Sequence, residues 1–137
     1  MEVNFVAVLV AAVANFFIGF MLHGPVGGKL WMKLANIVPT GNEKMSDMVP
    51  QMLWNFLANL VFAYVLAVMY MFAVGSSYVE AGAWGGLCVA FKVWIGFVVT
   101  STSMDVIWMK ANFKLWVYEI FASLASILAM GAVIAVW

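Results

Sequence analysis

A chain of 137 residues that is 67% hydrophobic and 9% charged, with a mean hydropathy of +1.08, has more apolar surface than a water-soluble domain of its size can hide. Soluble chains are roughly half apolar and about a quarter charged. Zero formal net charge, with no basic cluster interleaved with aromatic residues, removes the electrostatic footprint of a nucleic-acid binder.

The first apolar run, Val3 to Leu22, could be taken for a leader sequence because Ala12-Val13-Ala14 resembles a cleavage site. It carries Glu2 and no Lys or Arg at its start, and its apolar character continues to Leu22, so it reads as a membrane span. A hydrocarbon core of about 30 Å needs around 20 helical residues. Three further runs qualify: Met52 to Val74, Ala81 to about Thr100, and Leu115 to Trp137. None alternates apolar and polar with period two, which excludes a barrel. The expectation is an all-α integral membrane four-helix bundle, a single transmembrane domain over 1–137.

The connector from His23 to Gln51 opens on His23-Gly24-Pro25 and Gly27-Gly28 and holds Pro39, Gly41 and Pro50. Its middle is expected to be irregular and wet. Gly75-Ser76-Ser77 and Ser101-Thr102-Ser103 are read as the breaks after the second and third spans. Gly28 to Ile37 and Val106 to Trp116 suit short interfacial helices, with Trp31, Trp54, Trp108 and Trp116 as an aromatic belt. Lys29, Lys33 and Lys44 lie in the first connector and Lys110 and Lys114 in the third. The positive-inside rule turns those connectors to the cytoplasm and both termini to the non-cytoplasmic side.

Ile18-Gly19-Phe20 followed by Trp31-Met32-Lys33 returns as Ile95-Gly96-Phe97 followed by Trp108-Met109-Lys110, with the same internal spacing. That register pairs Ala11 with Cys88 and Asn15 with Lys92, and a looser one pairs Asn55 with Glu119 and Asn59 with Ser123. The reading is a duplicated helical hairpin, halves 1–74 and 75–137, parallel repeats about a pseudo-two-fold axis along the membrane normal.

Lys92 lies inside the third span, where a lysine costs a few kcal/mol unless it snorkels or pairs. Counted from the cytoplasmic ends at helical rise, Lys92 falls roughly 12 Å deep and Glu119 roughly 6 Å, so the two are expected to form an ion pair. With Asn15, Asn55, Asn59 and Ser123 they outline an intramembrane polar core. Gly82, Gly86 and Ala90 form one small-residue ridge, and Gly85 and Gly96 lie on another face of that helix.

His23, the sole histidine, is a candidate ligand for haem, chlorophyll or a metal, although a histidine beside a Gly-Pro turn more often makes an interfacial hydrogen bond. Met45, Met48 and Met52 fall at helical spacing suited to copper(I), but no Cys or His joins them. No metal site is expected. Cys88, the lone cysteine, excludes an intrachain disulfide or Cys-x-x-Cys site and reads as a structural thiol.

The opening Asn4-Phe5-Val6-Ala7-Val8-Leu9-Val10-Ala11-Ala12, the Gly24-Pro25 turn with Gly28-Lys29-Leu30-Trp31-Met32, and the ending Gly131-Ala132-Val133-Ile134 with Trp137 resemble the bacterial membrane proteins of domain-of-unknown-function family 1761. The resemblance covers most of the chain and implies a four-helix unit in a bacterial cytoplasmic or internal membrane, with no activity attached. Members tend to carry an aromatic pair where Leu22-His23 stands, and Asn and His where Glu119 and Ser123 stand. No functional residue is carried over.

No nucleophile with a matched base, phosphate loop or metal-spaced set appears. The expectation is a non-catalytic structural or accessory subunit, not an enzyme, without a resident cofactor. Its partners would be membrane lipids, other transmembrane chains or copies of itself, with lipid or pigment against its apolar faces. Two alternatives are a small oligomeric transporter or channel subunit built around Lys92 and Glu119, and a membrane redox or enzyme-complex subunit using His23.

Overall fold

A computed structural model describes residues 2–137. Its elements are α1 (Phe5–His23), α2 (Gly28–Leu34), α3 (Met45–Gly75), α4 (Ala83–Val93), a π-helical segment (Trp94–Val99), α5 (Thr100–Trp108) and α6 (Phe113–Val136). Four helical stretches are long and apolar enough to cross a membrane: Phe5–His23, Met45–Gly75, Ala83–Trp108 and Phe113–Val136. The protein is an all-helical four-span bundle. The first span packs on the second and fourth, and the fourth on the third.

Local chemistry explains most helix ends. The Asn4 side chain accepts from the amides of Val6 and Ala7 at 3.0 and 3.2 Å, capping α1. Asn112 does the same for α6 through Lys114 and Leu115. At the end of α1 the chain folds back tightly. Gly28 donates to the Gly24 carbonyl at 2.9 Å, and a Cβ at Gly27 would collide with the Tyr118 hydroxyl and the Leu22 carbonyl. Only a residue without a side chain admits that approach.

The second span starts at Met45, seven residues before the expected Met52, and runs through Pro50. A proline near a helix start forfeits one backbone bond, to the carbonyl four residues back. That loss leaves the early turns standing, with Met45, Met48 and Met52 facing a shared cavity.

The third span departs further from expectation. Ser101-Thr102-Ser103 does not break the helix, which continues to Trp108. Thr100 donates its hydroxyl to the Gly96 carbonyl at 2.6 Å, Thr102 to Val98 at 2.7 Å and Ser103 to Thr100 at 2.7 Å. Hydroxyls that bond back to their own helix need no water, so the run can stay helical. Val106 to Trp116 is therefore no separate interfacial helix; it is the end of α5, a turn with Lys110 at φ 53, and the start of α6. The repeated tripeptides consequently sit in unlike structure. After Phe20 the chain turns at Gly24-Pro25 into the short α2, whereas after Phe97 it runs straight on.

The core occupies the half of the bundle nearer the termini: Val8, Ala11 and Ala12 of α1, Ala63, Leu66 and Ala67 of α3, Val89 and Ala90 of α4, and Ile127 and Met130 of α6. Small residues bring α4 and α6 together. A Cβ on Gly131 would lie 2.5 Å from the Ala90 Cβ and 2.6 Å from the Gly86 carbonyl oxygen. Gly86 and Ala90 thus form the internal ridge, while Gly96 faces open space. Without water to expel, close backbone approach of this kind is the main attraction between membrane helices. Phe17, Val61, Phe91, Phe97 and Phe121 project outward, as surfaces facing acyl chains.

Candidate functional site: a one-sided polar cavity

The lysine-bearing half is looser. The last two turns and more of α1, the first five turns of α3, Val98 of the third span and the middle of α6 surround a cavity of about 540 Å³ lined by Asn15, Gly19, His23, the three methionines, Asn55, Asn59, Glu119, Ser123 and Ser126, among others. Toward the termini the bundle is packed with the core alanines and Leu66, none of which lines the cavity.

Five of the six expected core residues line it: Asn15, Asn55, Asn59, Glu119 and Ser123. The Asn15 amide donates to the Asn59 carbonyl oxygen at 2.8 Å, joining first and second spans. Ser123 donates to the Ile120 carbonyl at 2.8 Å and accepts from the indole of Trp94 at 3.1 Å.

Lys92 stands elsewhere, and the expected Lys92–Glu119 ion pair does not form. Because the third helix ends at Trp108 rather than near Thr100, Lys92 lies about 24 Å from that end and only about 13 Å from Ala83. Glu119 is about 9 Å from the start of α6 at the opposite end. The Lys92 ammonium instead reaches back along its helix to the Tyr78 ring, 4.2 Å from the centroid. Helical side chains lean toward the N-terminus of their helix, and a lysine stem can carry its charge to the interface.

Glu119 is met by His23 and Trp31. His23 Nε2 lies 2.9 Å from Glu119 Oε2, and the Trp31 indole donates to Oε1 at 2.7 Å. His23 Nδ1 lies 2.9 Å from the Gly19 carbonyl oxygen, which can only accept, so Nδ1 carries a proton. The Nε2–Oε2 line then holds a single proton, in an imidazolium–carboxylate or an imidazole–carboxylic acid pair. Both forms are neutral overall, which limits the cost of placing the pair at the edge of the hydrocarbon. The His23 ring also meets Trp31 and Tyr118 edge-on, with centroids 5.3 and 6.0 Å away. Both ring nitrogens are engaged, leaving no lone pair for haem, chlorophyll or a metal in this arrangement. Among the described residues no three His, Cys, Asp or Glu side chains gather as a metal set.

The same contacts fasten α2. Besides Trp31, Tyr118 donates to the Leu22 carbonyl and Asn112 donates to the Leu34 carbonyl at 3.0 Å. Trp94 is the residue that sequence reasoning passed over. It is 8% exposed, and its indole also donates to the Ile120 carbonyl at 2.9 Å. Its position was the available signal, since an indole far from the headgroups needs an acceptor inside the bundle.

The family described as "Protein of unknown function (DUF1761)" matches residues 6–135. The chain belongs to this family. No curated protein and no solved structure matches. Membership in this DUF1761 family supplies no activity, so the cavity has to be interpreted from its own chemistry.

Proposed function

We propose that this DUF1761 protein is a non-catalytic membrane subunit that binds, in its one-sided cavity, the polar head of a small amphiphile. The observation carrying this reading is the segregation of the bundle: amides, hydroxyls and a neutral His–Glu pair line one half, and close-packed alanine, glycine and leucine fill the other. Polar side chains inside a membrane are costly and concentrate where something polar is received. Methionines at the rim suit an apolar tail of variable shape. By the positive-inside rule the cavity faces the cytoplasm of a bacterial cell and both termini face away.

The test is native mass spectrometry of the protein released from its own membrane in mild detergent. A small-molecule adduct is expected on the wild type and not on Ala58→Phe, which fills the cavity without removing a hydrogen bond. A wild type free of adduct, or an adduct unaffected by Ala58→Phe, overturns the reading.

One observation favours a second reading, a small oligomeric transporter or channel subunit: the single proton shared by His23 and Glu119 is placed to exchange with the cavity. Lys92 has no part in it. Liposome flux lost in Glu119→Gln would support transport, and flux unchanged by that variant would remove Glu119 from any pathway.

A further inference from the structure

A second concavity lies on the outside of α6, separated from the polar cavity by Ala122, which borders both. It is a groove of about 430 Å³ lined by Leu22, Leu34, Val117, Tyr118, Phe121 and Ala125, with Lys114 at its mouth. Lys114, Val117, Tyr118, Phe121 and Ala125 follow one another at helical spacing, so they form a stripe along α6. From Lys114 to Ala125 that stripe is about 16 Å long at helical rise, close to the roughly 15 Å of one leaflet's hydrocarbon. Leu34 at the end of α2 borders it, and the Asn112 bond to the Leu34 carbonyl holds α2 there.

Charge identifies the occupant. Lys33, Lys110 and Lys114 each lie within two residues of that Asn112–Leu34 bond. Among the described residues, the His23–Glu119 contact is the only pairing of a basic and an acidic side chain within 4.0 Å, so these three ammonium groups have no carboxylate at that range. Of the acids at this end of the bundle, Glu119 is held by His23 and Trp31, and Glu43 accepts from the Thr40 amide at 2.7 Å and the Gly41 amide at 3.2 Å, while Asp47 and Asp105 lie beyond 4.0 Å of any described lysine amine. Those amides hold the Glu43 carboxyl below the usual carboxylate range. Three cations with no carboxylate within 4.0 Å, at headgroup depth above an apolar channel one leaflet long, complement a lipid with a negative head and an acyl chain.

We propose that the groove beside α6 is a binding site for an anionic phospholipid, its phosphate among Lys33, Lys110 and Lys114 and one acyl chain along Val117, Phe121 and Ala125. Each surface lysine is worth about a factor of five in affinity for an anionic membrane. Three of them, allowing for salt screening, should favour an anionic over a zwitterionic lipid by roughly tenfold or more.

The experiment reconstitutes the full chain with phosphatidylglycerol and phosphatidylcholine in equal amounts and counts the lipids retained by native mass spectrometry. The wild type should retain phosphatidylglycerol preferentially. The triple variant Lys33→Gln, Lys110→Gln, Lys114→Gln, changed only at solvent-facing amines, should lose the preference. Ala125→Phe, which obstructs the groove, should shed the bound lipid while leaving the lysines in place. Addition of inorganic phosphate should displace nothing, because the acyl chain supplies the remaining affinity. Equal retention of both lipids by the wild type, a preference surviving the triple variant, or a dimer that ignores lipid would each overturn the proposal. Ala58→Phe should leave this preference intact, so failure of the cavity reading and failure of this one are separable.

Discussion

Replacing Glu119 by leucine tests the His23–Glu119–Trp31 cluster most directly. Two hydrogen bonds are lost: the one the Trp31 indole donates at 2.7 Å and the one-proton bond to His23 Nε2 at 2.9 Å. Breaking a fully buried charged pair costs about 3 to 5 kcal/mol, but the side chains of His23 and Glu119 are 32% and 42% exposed, and water can replace part of what is lost. About 2 kcal/mol is the expected loss, near that of one charged plus one neutral hydrogen bond after this discount. Glu119→Gln should cost less, under about 1 kcal/mol, because its carbonyl can still accept from Trp31 while its amide donates to a neutral His23 Nε2. His23→Leu and Glu119→Leu share an interaction, so their losses should fall short of adding by about 1 kcal/mol in the double variant. Reversible thermal unfolding in detergent, followed by circular dichroism, gives all four values. Strict additivity, or a Glu119→Gln variant as damaged as Glu119→Leu, would refute the proton placement and the cluster with it.

Lys92→Met should shift stability by less than about 1 kcal/mol, the size of an exposed cation–π contact, and should add without coupling to Glu119→Gln in the same unfolding assay. Gly131→Ala should be severely destabilising, because its Cβ would fall 2.6 Å from the Gly86 carbonyl oxygen, while Gly96→Ala, with nothing within 4 Å, should be neutral or slightly stabilising; midpoints of thermal unfolding compare them. Trp94→Phe removes both indole bonds, to Ile120 and Ser123, and should cost about 1 to 2 kcal/mol. A reporter fused after Trp137 should be active only on the non-cytoplasmic side, as the lysine distribution requires.

Hydropathy and length alone were enough to specify four spanning helices, because the hydrocarbon demands long apolar helices whatever their neighbours do. The Gly24-Pro25 turn was similarly local and readable. Helix ends whose determinants depend on context were not. Ser101-Thr102-Ser103 looks like a break to anyone assuming water, yet in this span its hydroxyls bond to carbonyls of their own helix and the helix goes on. That one extension moved Lys92 toward the far side of the bilayer and removed the expected partner of Glu119.

Polar residues at comparable depth could be listed from sequence, and five of the six expected residues line one cavity. Which of them touch was a separate question. His23 and Glu119 are separated by 96 positions along the chain; they meet because α1 and α6 pack together and the Gly24–Gly27 turn carries Trp31 back over the end of the pair. Periodicity assigns a residue to a face and hydropathy assigns it to a depth. Only the packing of one helix on another decides which donor reaches which acceptor, because that depends on close approaches such as Gly27 on Tyr118 and Gly131 on Ala90.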